Sequence, residues 1–235
     1  DVFKRPEYAP AHASALGELT DEAPRFVLNT HWHFDHVGGN RYWGEKNAVI
    51  VAHDNVRQRM STRQEMKAFD RVVEPSPRAA LPVVTYGDSL ALHFNGDDVE
   101  VQHFPTGHTD GDSIVFFIGE NVVHMGDHMF PGFPFVDIGS GGNVFGFIAN
   151  LEAVLARIDD ATVVVPGHGR NTLGKADLAT YHQILKQSAT TVRNALNRGE
   201  SVEQVIERGL GEEYAAYGEG FINEERWIGF IASSL

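Results

Sequence analysis

The chain has 235 residues, of which 42% are hydrophobic and 22% charged, so it is long enough to bury a core of its own. Its 32 acidic and 19 basic side chains give a net charge of −13, which argues against a nucleic-acid backbone or an anionic membrane surface as the main partner. The absence of cysteine excludes disulfides, thiolate metal ligands and cysteine nucleophiles.

Hydrophobic patterning predicts an α/β fold in a single domain over residues 1–235. The expected elements, in chain order, are a helix at 9–19, a strand at 25–29, a short helix within 38–46, a strand at 47–52, a polar helical segment at 53–70, strands at 89–94, 99–104, 113–118 and 122–124, a helix at 147–158, a strand at 162–165, a helix at 175–198 and a helix opened by a capping box at 201–204. An Asn-Gly turn at 95–96 predicts a hairpin. No run of 18 apolar residues occurs, so we expect no membrane-spanning helix.

One segment carries most of the chemical signal, the run Thr-His-Trp-His-Phe-Asp-His-Val-Gly-Gly at 30–39. It places three imidazoles and one carboxylate within six residues, directly after a predicted strand. Both ligand types suit Zn²⁺, at roughly 2.0–2.2 Å. We expect His31 and His33 to face one ion, and Asp35 and His36 to face another.

Three further ligand-type residues follow predicted strands, each beside a glycine. His108 follows the strand at 99–104, Asp127 follows 122–124, and His168 follows 162–165. One such residue alone is more often part of an ordinary loop. Three of them at strand ends are typical of a site at a sheet edge, where glycine leaves room for metal and substrate.

With these motifs in this order, the chain resembles the metallo-β-lactamase superfamily from about residue 25 to 168. The resemblance implies a four-layer αββα sandwich with metals at the edge between two sheets, and two Zn²⁺ ions as cofactors. It implies that one zinc is held by His31, His33 and His108, that the other is held by Asp35, His36 and His168, and that Asp127 bridges them.

The start of the chain differs from the family pattern. Family members usually carry a strand-rich segment before the first helix, whereas only 24 residues precede Arg25 here. We therefore expect a shortened or missing N-terminal strand segment. The abrupt start at Asp1 is also what a removed signal peptide or a larger missing piece would leave, which favours a periplasmic or secreted protein over a cytoplasmic one.

The expected reaction is hydrolysis of a small molecule. A water shared by two Zn²⁺ ions loses a proton near neutral pH, and the resulting bridging hydroxide attacks a carbonyl carbon. We expect Asp35, bound through one oxygen, to orient this nucleophile with the other. The aromatic, glycine-rich loop after Asp127 is expected to wall the substrate pocket, with Phe133 and a carbonyl-binding Asn143, and Trp32 is expected to face substrate. Core packing is the alternative for the aromatic side chains.

Single residues and the net charge favour some branches of the superfamily over others. His33 argues against diiron oxidoreductases, which carry glutamate there, and the charge of −13 argues against RNA-cleaving members. Persulfide-oxidising members with one iron stay open. His36 and the lack of cysteine resemble the third β-lactamase subclass, whereas a bridging Asp127 resembles glyoxalase II and lactonases.

The C-terminal region lacks the helical substrate domain and the basic residues of glyoxalase II. We therefore favour a β-lactamase-like enzyme that opens a cyclic amide or ester. A glyoxalase II-type thioesterase or a lactonase is the alternative, and a non-catalytic metal-binding protein is the remote one. Of the other histidines, His53 and His128 either support the ligands or line the pocket, or else they are surface or helix-start residues. The sequence carries no signal for oligomeric state.

Overall fold

A computed structural model describes residues 1–169 and 171–235, apart from the side chain of Lys67. The chain divides into two compact units, the first formed by Asp1–Leu90 with Gly111–Ser113 and the second by Ala91–Asp110 with Ile114–Leu235. The single domain over residues 1–235 stays a prediction. Within the described ranges, no helix combines the length and apolar composition that a membrane span requires.

The first unit is built around a small parallel sheet. Its elements are α1 (Ala9–Gly17), β1 (Phe26–Leu28), α2 (Phe34–Val37), α3 (Asn40–Glu45), β2 (Val49–His53), α4 (Asp54–Met60), β3 (Gln64–Met66), β4 (Arg71–Val73) and β5 (Val84–Tyr86). The sheet has the order β1-β2-β5, with Phe26 opposite Val49 and Val51 opposite Val84. Because the carboxyl ends of parallel strands share one edge, the histidine-rich segment after β1 leaves the sheet at that edge.

A cluster of apolar side chains anchors this sheet, with Val27 and Ile50 packed against Trp43 of α3. The predicted helical segment at 53–70 is wrong beyond its first turns, because α4 ends at Met60 and an antiparallel pair, β3 and β4, follows. The hydroxyls of Ser61 and Thr62 both donate to the carbonyl of Gln58, at 2.9 and 3.0 Å. These side-chain hydrogen bonds compete with the helical ladder and accompany its end.

The second unit contains a five-stranded sheet and the long helices. Its elements are β6 (Ser89–Phe94), β7 (Asp97–His103), β8 (Ser113–Phe117), β9 (Val122–His124), α5 (Val144–Arg157), β10 (Val163–Val165), α6 (Lys175–Asn197), α7 (Val202–Arg208), α8 (Ala215–Gly218) and α9 (Glu224–Ser233). The sheet has the order β10-β9-β8-β7-β6, and β10 is parallel to β9. The predicted hairpin of β6 and β7 is confirmed, and Asn95 and Gly96 both have positive φ, at 55° and 77°, as a type I′ turn requires.

The helices of this unit begin where their caps place them. The predicted capping box at Ser201 and Gln204 is confirmed, and it opens α7. Helix α5 begins at Val144, three residues earlier than predicted, because the side-chain oxygen of Asn143 accepts hydrogen bonds from the next backbone N–H groups. Helix α6 packs against α5 and α9, and Trp227 of α9 donates from Nε1 to Ser188 Oγ at 3.0 Å. These sheets and helices confirm the predicted α/β class and are consistent with the αββα fold.

Candidate metal centre

Histidine and aspartate side chains form clusters of a composition that suits a metal ion. Four members lie in the first unit and three in the second. The clustered side chains are the seven predicted ligands, His31, His33, Asp35, His36, His108, Asp127 and His168.

In the first unit, the backbone after β1 brings four of these side chains together. His31, His33 and His36 are all buried, and the ring of His31 lies 4.8 Å from that of His33 and 4.1 Å from that of His36. The backbone is extended at His33 and becomes helical in α2. Asp35 and His36 therefore do not continue the alternating side-chain directions of the extended segment that carries His31 and His33. Asp35 Oδ2 lies 3.9 Å from His36 Nε2. The segment therefore concentrates imidazole and carboxylate groups, as the sequence predicts.

A carboxylate that sequence reasoning missed, that of Asp1, holds two of these imidazoles. His36 Nδ1 lies 2.9 Å from Asp1 Oδ2, and Thr30 Oγ1 donates to the same oxygen at 2.8 Å. His31 Nδ1 in turn lies 3.0 Å from Thr30 Oγ1. Because that hydroxyl donates to Asp1, it accepts from Nδ1 of His31. Both imidazoles then carry their proton on Nδ1 and present Nε2 as the coordinating nitrogen. The sequence could not predict this contact, because no motif spacing links Asp1 to His36, 35 positions later.

In the second unit, two imidazoles approach one buried carboxylate. Asp127 Oδ2 lies 3.5 Å from His108 Nε2 and 3.4 Å from His168 Nε2. His108 is fully buried and donates from Nδ1 to the backbone carbonyl of Phe135 at 2.7 Å. That bond fixes the ring and directs Nε2 to Asp127, so the three residues have the arrangement expected of ligands to a shared ion or ion pair.

Glycine before His168 allows this approach. A β-carbon at Gly167 would lie 2.2 Å from Asp127 Oδ1 and 2.6 Å from the backbone carbonyl oxygen of Gly126. No L side chain fits there without moving the carboxylate or the backbone. Glycine at position 167 is therefore a steric requirement for the approach of His168 to Asp127.

His128 supports the loop that carries His108. Its ring stacks on Phe147 with centroids 4.9 Å apart, and its Nε2 lies 3.1 Å from Asn150 Nδ2. Asn150 Nδ2 also donates to the carbonyl of Pro105 at 3.3 Å. Burial lowers the pKa of His128 to about 3, aided by the neighbouring His108, so the ring is neutral and accepts from Asn150. His128 thus supports the loop that carries the predicted ligand His108.

His53 has the helix-start role that the sequence left open. Its Nδ1 accepts a hydrogen bond from Asn55 N at 3.2 Å and so caps α4, while its Nε2 lies 2.8 Å from the carbonyl oxygen of Gly87. With both ring nitrogens engaged in the backbone of the first unit, its function is structural.

The three predicted substrate residues are engaged inside the protein. Phe133 is completely buried and stacks on Trp227 with centroids 5.3 Å apart. Asn143 caps α5 and donates from Nδ2 to the carbonyl of Ser234 at 3.1 Å. Trp32 is 2% exposed, and its ring lies 4.9 Å from that of His33. Packing and capping account for the positions of these three side chains, and their contact with substrate stays a prediction.

The donor chemistry of both sets fits a divalent metal. Imidazole nitrogens and carboxylate oxygens, with no sulfur, are the ligands that zinc accepts in catalytic sites. Hydrogen bonds from the second nitrogen of the imidazole, as seen for His36 and His108, are typical of metal-binding histidines.

Comparison with known proteins agrees with this chemistry. A hydroxyacylglutathione hydrolase of Pelagibacter ubique is 30% identical over 107 residues, which are 45% of this chain and 36% of that protein. A metallo-beta-lactamase type 2 of Bacteroides fragilis is 27% identical over 148 residues, which are 61% of this chain and 52% of that protein. The chain thus spans about a third to a half of these relatives.

Structural similarity extends over almost the whole chain. The solved structure of the sec-alkyl sulfatase PisA1, as a double mutant, matches 98% of this chain and 44% of its own, with a TM-score of 0.76 and 14% identity. At that identity the match describes the fold alone. Residues 8–168 match the family model of the metallo-beta-lactamase superfamily, which is more than half of the sequence. The chain belongs to the metallo-β-lactamase superfamily.

Proposed function

We propose that the chain is a metal-dependent hydrolase that opens a cyclic amide or ester, with two Zn²⁺ ions held by the seven clustered side chains. The observation that carries the proposal is the buried carboxylate of Asp127, which two imidazole nitrogens approach to within 3.5 and 3.4 Å. A carboxylate so placed suits a bridging ligand. The relatives of the chain support a hydrolase, because they include proteins named as a hydroxyacylglutathione hydrolase and a metallo-beta-lactamase.

The proposed ligand assignment follows the family pattern. One ion is assigned to His31, His33 and His108, the other to Asp35, His36 and His168, with Asp127 shared. Bound zinc supplies a water of lowered pKa and polarises the carbonyl group under attack.

Asp35 is proposed as the residue that orients the attacking water. It lies in the first turn of α2, where its side chain is 24% exposed, in contrast to the buried imidazoles around it. A carboxylate that coordinates through one oxygen keeps the other to accept a hydrogen bond from the nucleophile. Position and partial exposure thus suit a role in orientation as well as in coordination.

A thioesterase or lactonase of the glyoxalase II type is the second candidate. It is favoured by aspartate at the proposed bridging position and by the 30% identity with the hydroxyacylglutathione hydrolase over 107 residues. A metal-binding protein without turnover is the remote alternative.

The test is hydrolysis of three chromogenic or coupled substrates by zinc-loaded protein: a cephalosporin, a homoserine lactone and a glutathione thioester. We expect the cephalosporin or the lactone to be hydrolysed, and thioester hydrolysis alone would transfer support to the second candidate. Asp35→Ala should abolish turnover while the fold persists, whereas Asp88→Ala, at an exposed position, should leave it unchanged.

Metal analysis separates the remaining possibilities. Two zinc ions per chain are expected by mass spectrometry of the native protein. A single iron would favour an oxidative member of the superfamily. Inactivity on all three substrates with zinc bound would support the non-catalytic alternative and refute the proposed hydrolase.

A further inference from the structure

A cavity of about 590 Å³ lies within the second unit, and the predicted ligand His168 forms part of its wall. The wall is mostly apolar and includes Phe130, Leu173 and Tyr217. The ring of Phe130 lies 4.9 Å from that of His168. Small-molecule sites typically have volumes of roughly 300–1,000 Å³ and walls of this composition, so the cavity is large enough for a ligand.

One polar group in this wall, the hydroxyl of Tyr181, is left without a well-formed hydrogen bond to the described residues. Tyr181 of α6 is 3% exposed and lines the cavity, and its hydroxyl interacts only weakly with the backbone of Phe130, with no hydrogen bond of normal geometry. Buried polar groups are nearly always paired, because an unpaired one loses its hydrogen bonds to water without replacement. A buried hydroxyl without a well-formed hydrogen bond, in the wall of a mostly apolar cavity, indicates a partner that arrives with a ligand.

The hydroxyl is a donor. Burial raises the pKa of Tyr181 well above its ordinary value. Tyr181 therefore keeps its proton over the physiological range and can donate it in a hydrogen bond to an acceptor atom of the ligand. The same wall contains Asp177, whose Oδ2 accepts from the N–H of Gly174 at 2.9 Å. Its carboxylate disfavours a negatively charged ligand group.

We propose that this cavity receives the non-reacting side of the substrate, a neutral aliphatic or aryl group with one hydrogen-bond acceptor, and that the acceptor takes a hydrogen bond from Tyr181. The inference rests on the proposed hydrolase function and adds a specificity determinant to it. The predicted ligand His168 is part of the wall, so the cavity adjoins the proposed metal centre.

Two esters that differ by one atom test the hydrogen bond. They are para-nitrophenyl β-ethoxypropanoate and para-nitrophenyl hexanoate, in which a methylene replaces the ether oxygen. Tyr181→Phe should raise KM for the ether-containing ester about fivefold and leave KM for the hexanoate unchanged. The value of kcat should stay constant for both, because this bond is remote from the reacting atoms.

Two further variants test the cavity and the chemistry separately. Ala216→Trp, at an exposed position in the wall, should raise KM for both esters. Tyr214→Phe removes the hydroxyl of another buried tyrosine, one outside the described wall, and should change neither KM.

The unfolding equilibrium of Tyr181→Phe should favour the folded state severalfold more than in the parent, because the variant deletes a buried donor that lacks a well-formed hydrogen bond.

The outcomes distinguish this inference from the proposed function. Parent-like KM values in both Tyr181→Phe and Ala216→Trp, with turnover intact, would overturn the inference and leave the hydrolase standing. If the zinc-loaded parent hydrolyses neither ester, the proposed ester hydrolysis is refuted. NMR titration with β-ethoxypropanamide then tests whether the cavity binds a ligand through Tyr181. Weaker binding to Tyr181→Phe than to the parent supports the inference, and equal or absent binding overturns it.

Discussion

Replacing Gly167 with alanine places a methyl group against the proposed bridging carboxylate. The new β-carbon would lie 2.2 Å from Asp127 Oδ1 and 2.6 Å from the backbone carbonyl carbon and oxygen of Gly126. Real β-carbons essentially never approach heavy atoms closer than 3.0 Å, so Asp127 or the backbone must move by about 0.8 Å. The alanine itself faces no unfavourable φ, so the effect is a purely steric one.

The movement forced on Asp127 or the backbone determines how much stability and zinc affinity are lost. Overpacking of this kind costs about 1–3 kcal/mol of folding stability. Metal–ligand distances tolerate only about ±0.2 Å, so a carboxylate moved by several times that distance binds metal poorly. Changes that merely disturb the orientation of ligands lower metal affinity by about 10–100-fold, and we expect a loss of at least this size in Gly167→Ala.

Two measurements and one control complete the test. Urea unfolding of the metal-free protein gives the stability, and competition with a chromophoric chelator gives the zinc affinity. The control is Gly229→Ala in α9, where a β-carbon meets no atom within 4 Å, and where alanine should stabilise the helix by about 0.5–1 kcal/mol without changing zinc affinity. Gly167→Ala with the stability and zinc affinity of the parent would refute the steric argument and the placement of Asp127.

Three further predictions concern stability. Burial raises the pKa of Tyr86 from 10 to about 12, so the unfolded state releases its proton first and stability falls between about pH 10 and 12, by up to about 1.4 kcal/mol per pH unit. Urea titrations should show this loss reduced in Tyr86→Phe, which also lacks the hydrogen bond to Ser113, and identical slopes would contradict it. Ser201→Ala should cost about 1 kcal/mol in urea unfolding, because it removes the hydroxyl that caps Gln204 N, and Ser201→Asp should restore most of it. Removal of metal by a chelator should lower the thermal midpoint, since free zinc at 100 times its dissociation constant stabilises by about 2.7 kcal/mol, and an unchanged midpoint would argue against a metal site in the folded state.

The grouping of histidine and aspartate side chains could be predicted from the sequence because each proposed ligand carries its own local signal. His31, His33 and His36 lie together in one segment, and the other ligands stand beside glycines at strand ends. The hairpin turn at Asn95 is equally local, since its residue type matches the backbone conformation that it adopts. Local chemistry and local conformation agree at these positions, and prediction needs no knowledge of the tertiary structure.

The partners of those ligands could not be predicted. Asp1 meets His36 across 35 positions, and His108 binds a backbone carbonyl at Phe135, which any residue type could provide. Asn143 has the composition of a polar loop residue, yet the structure uses it as a helix cap that also bonds Ser234, 91 positions away. Such pairs are selected by which segments the fold brings together, and a single sequence contains no pattern for that.

If the proposed ligands bind metal, the hydrogen bonds around them bear on the free energy of that binding. Within the first unit, one carboxylate fixes the Nδ1 side of His36 directly and of His31 through Thr30. Within the second, a backbone carbonyl fixes His108. Each of these imidazoles is therefore oriented by bonds internal to its own unit, which do not involve the metal. Binding then has less side-chain entropy to remove, because the rotamers and tautomers are already selected by the folded chain. The same bonds place the protons on Nδ1, so that coordination by Nε2 requires no change of tautomer.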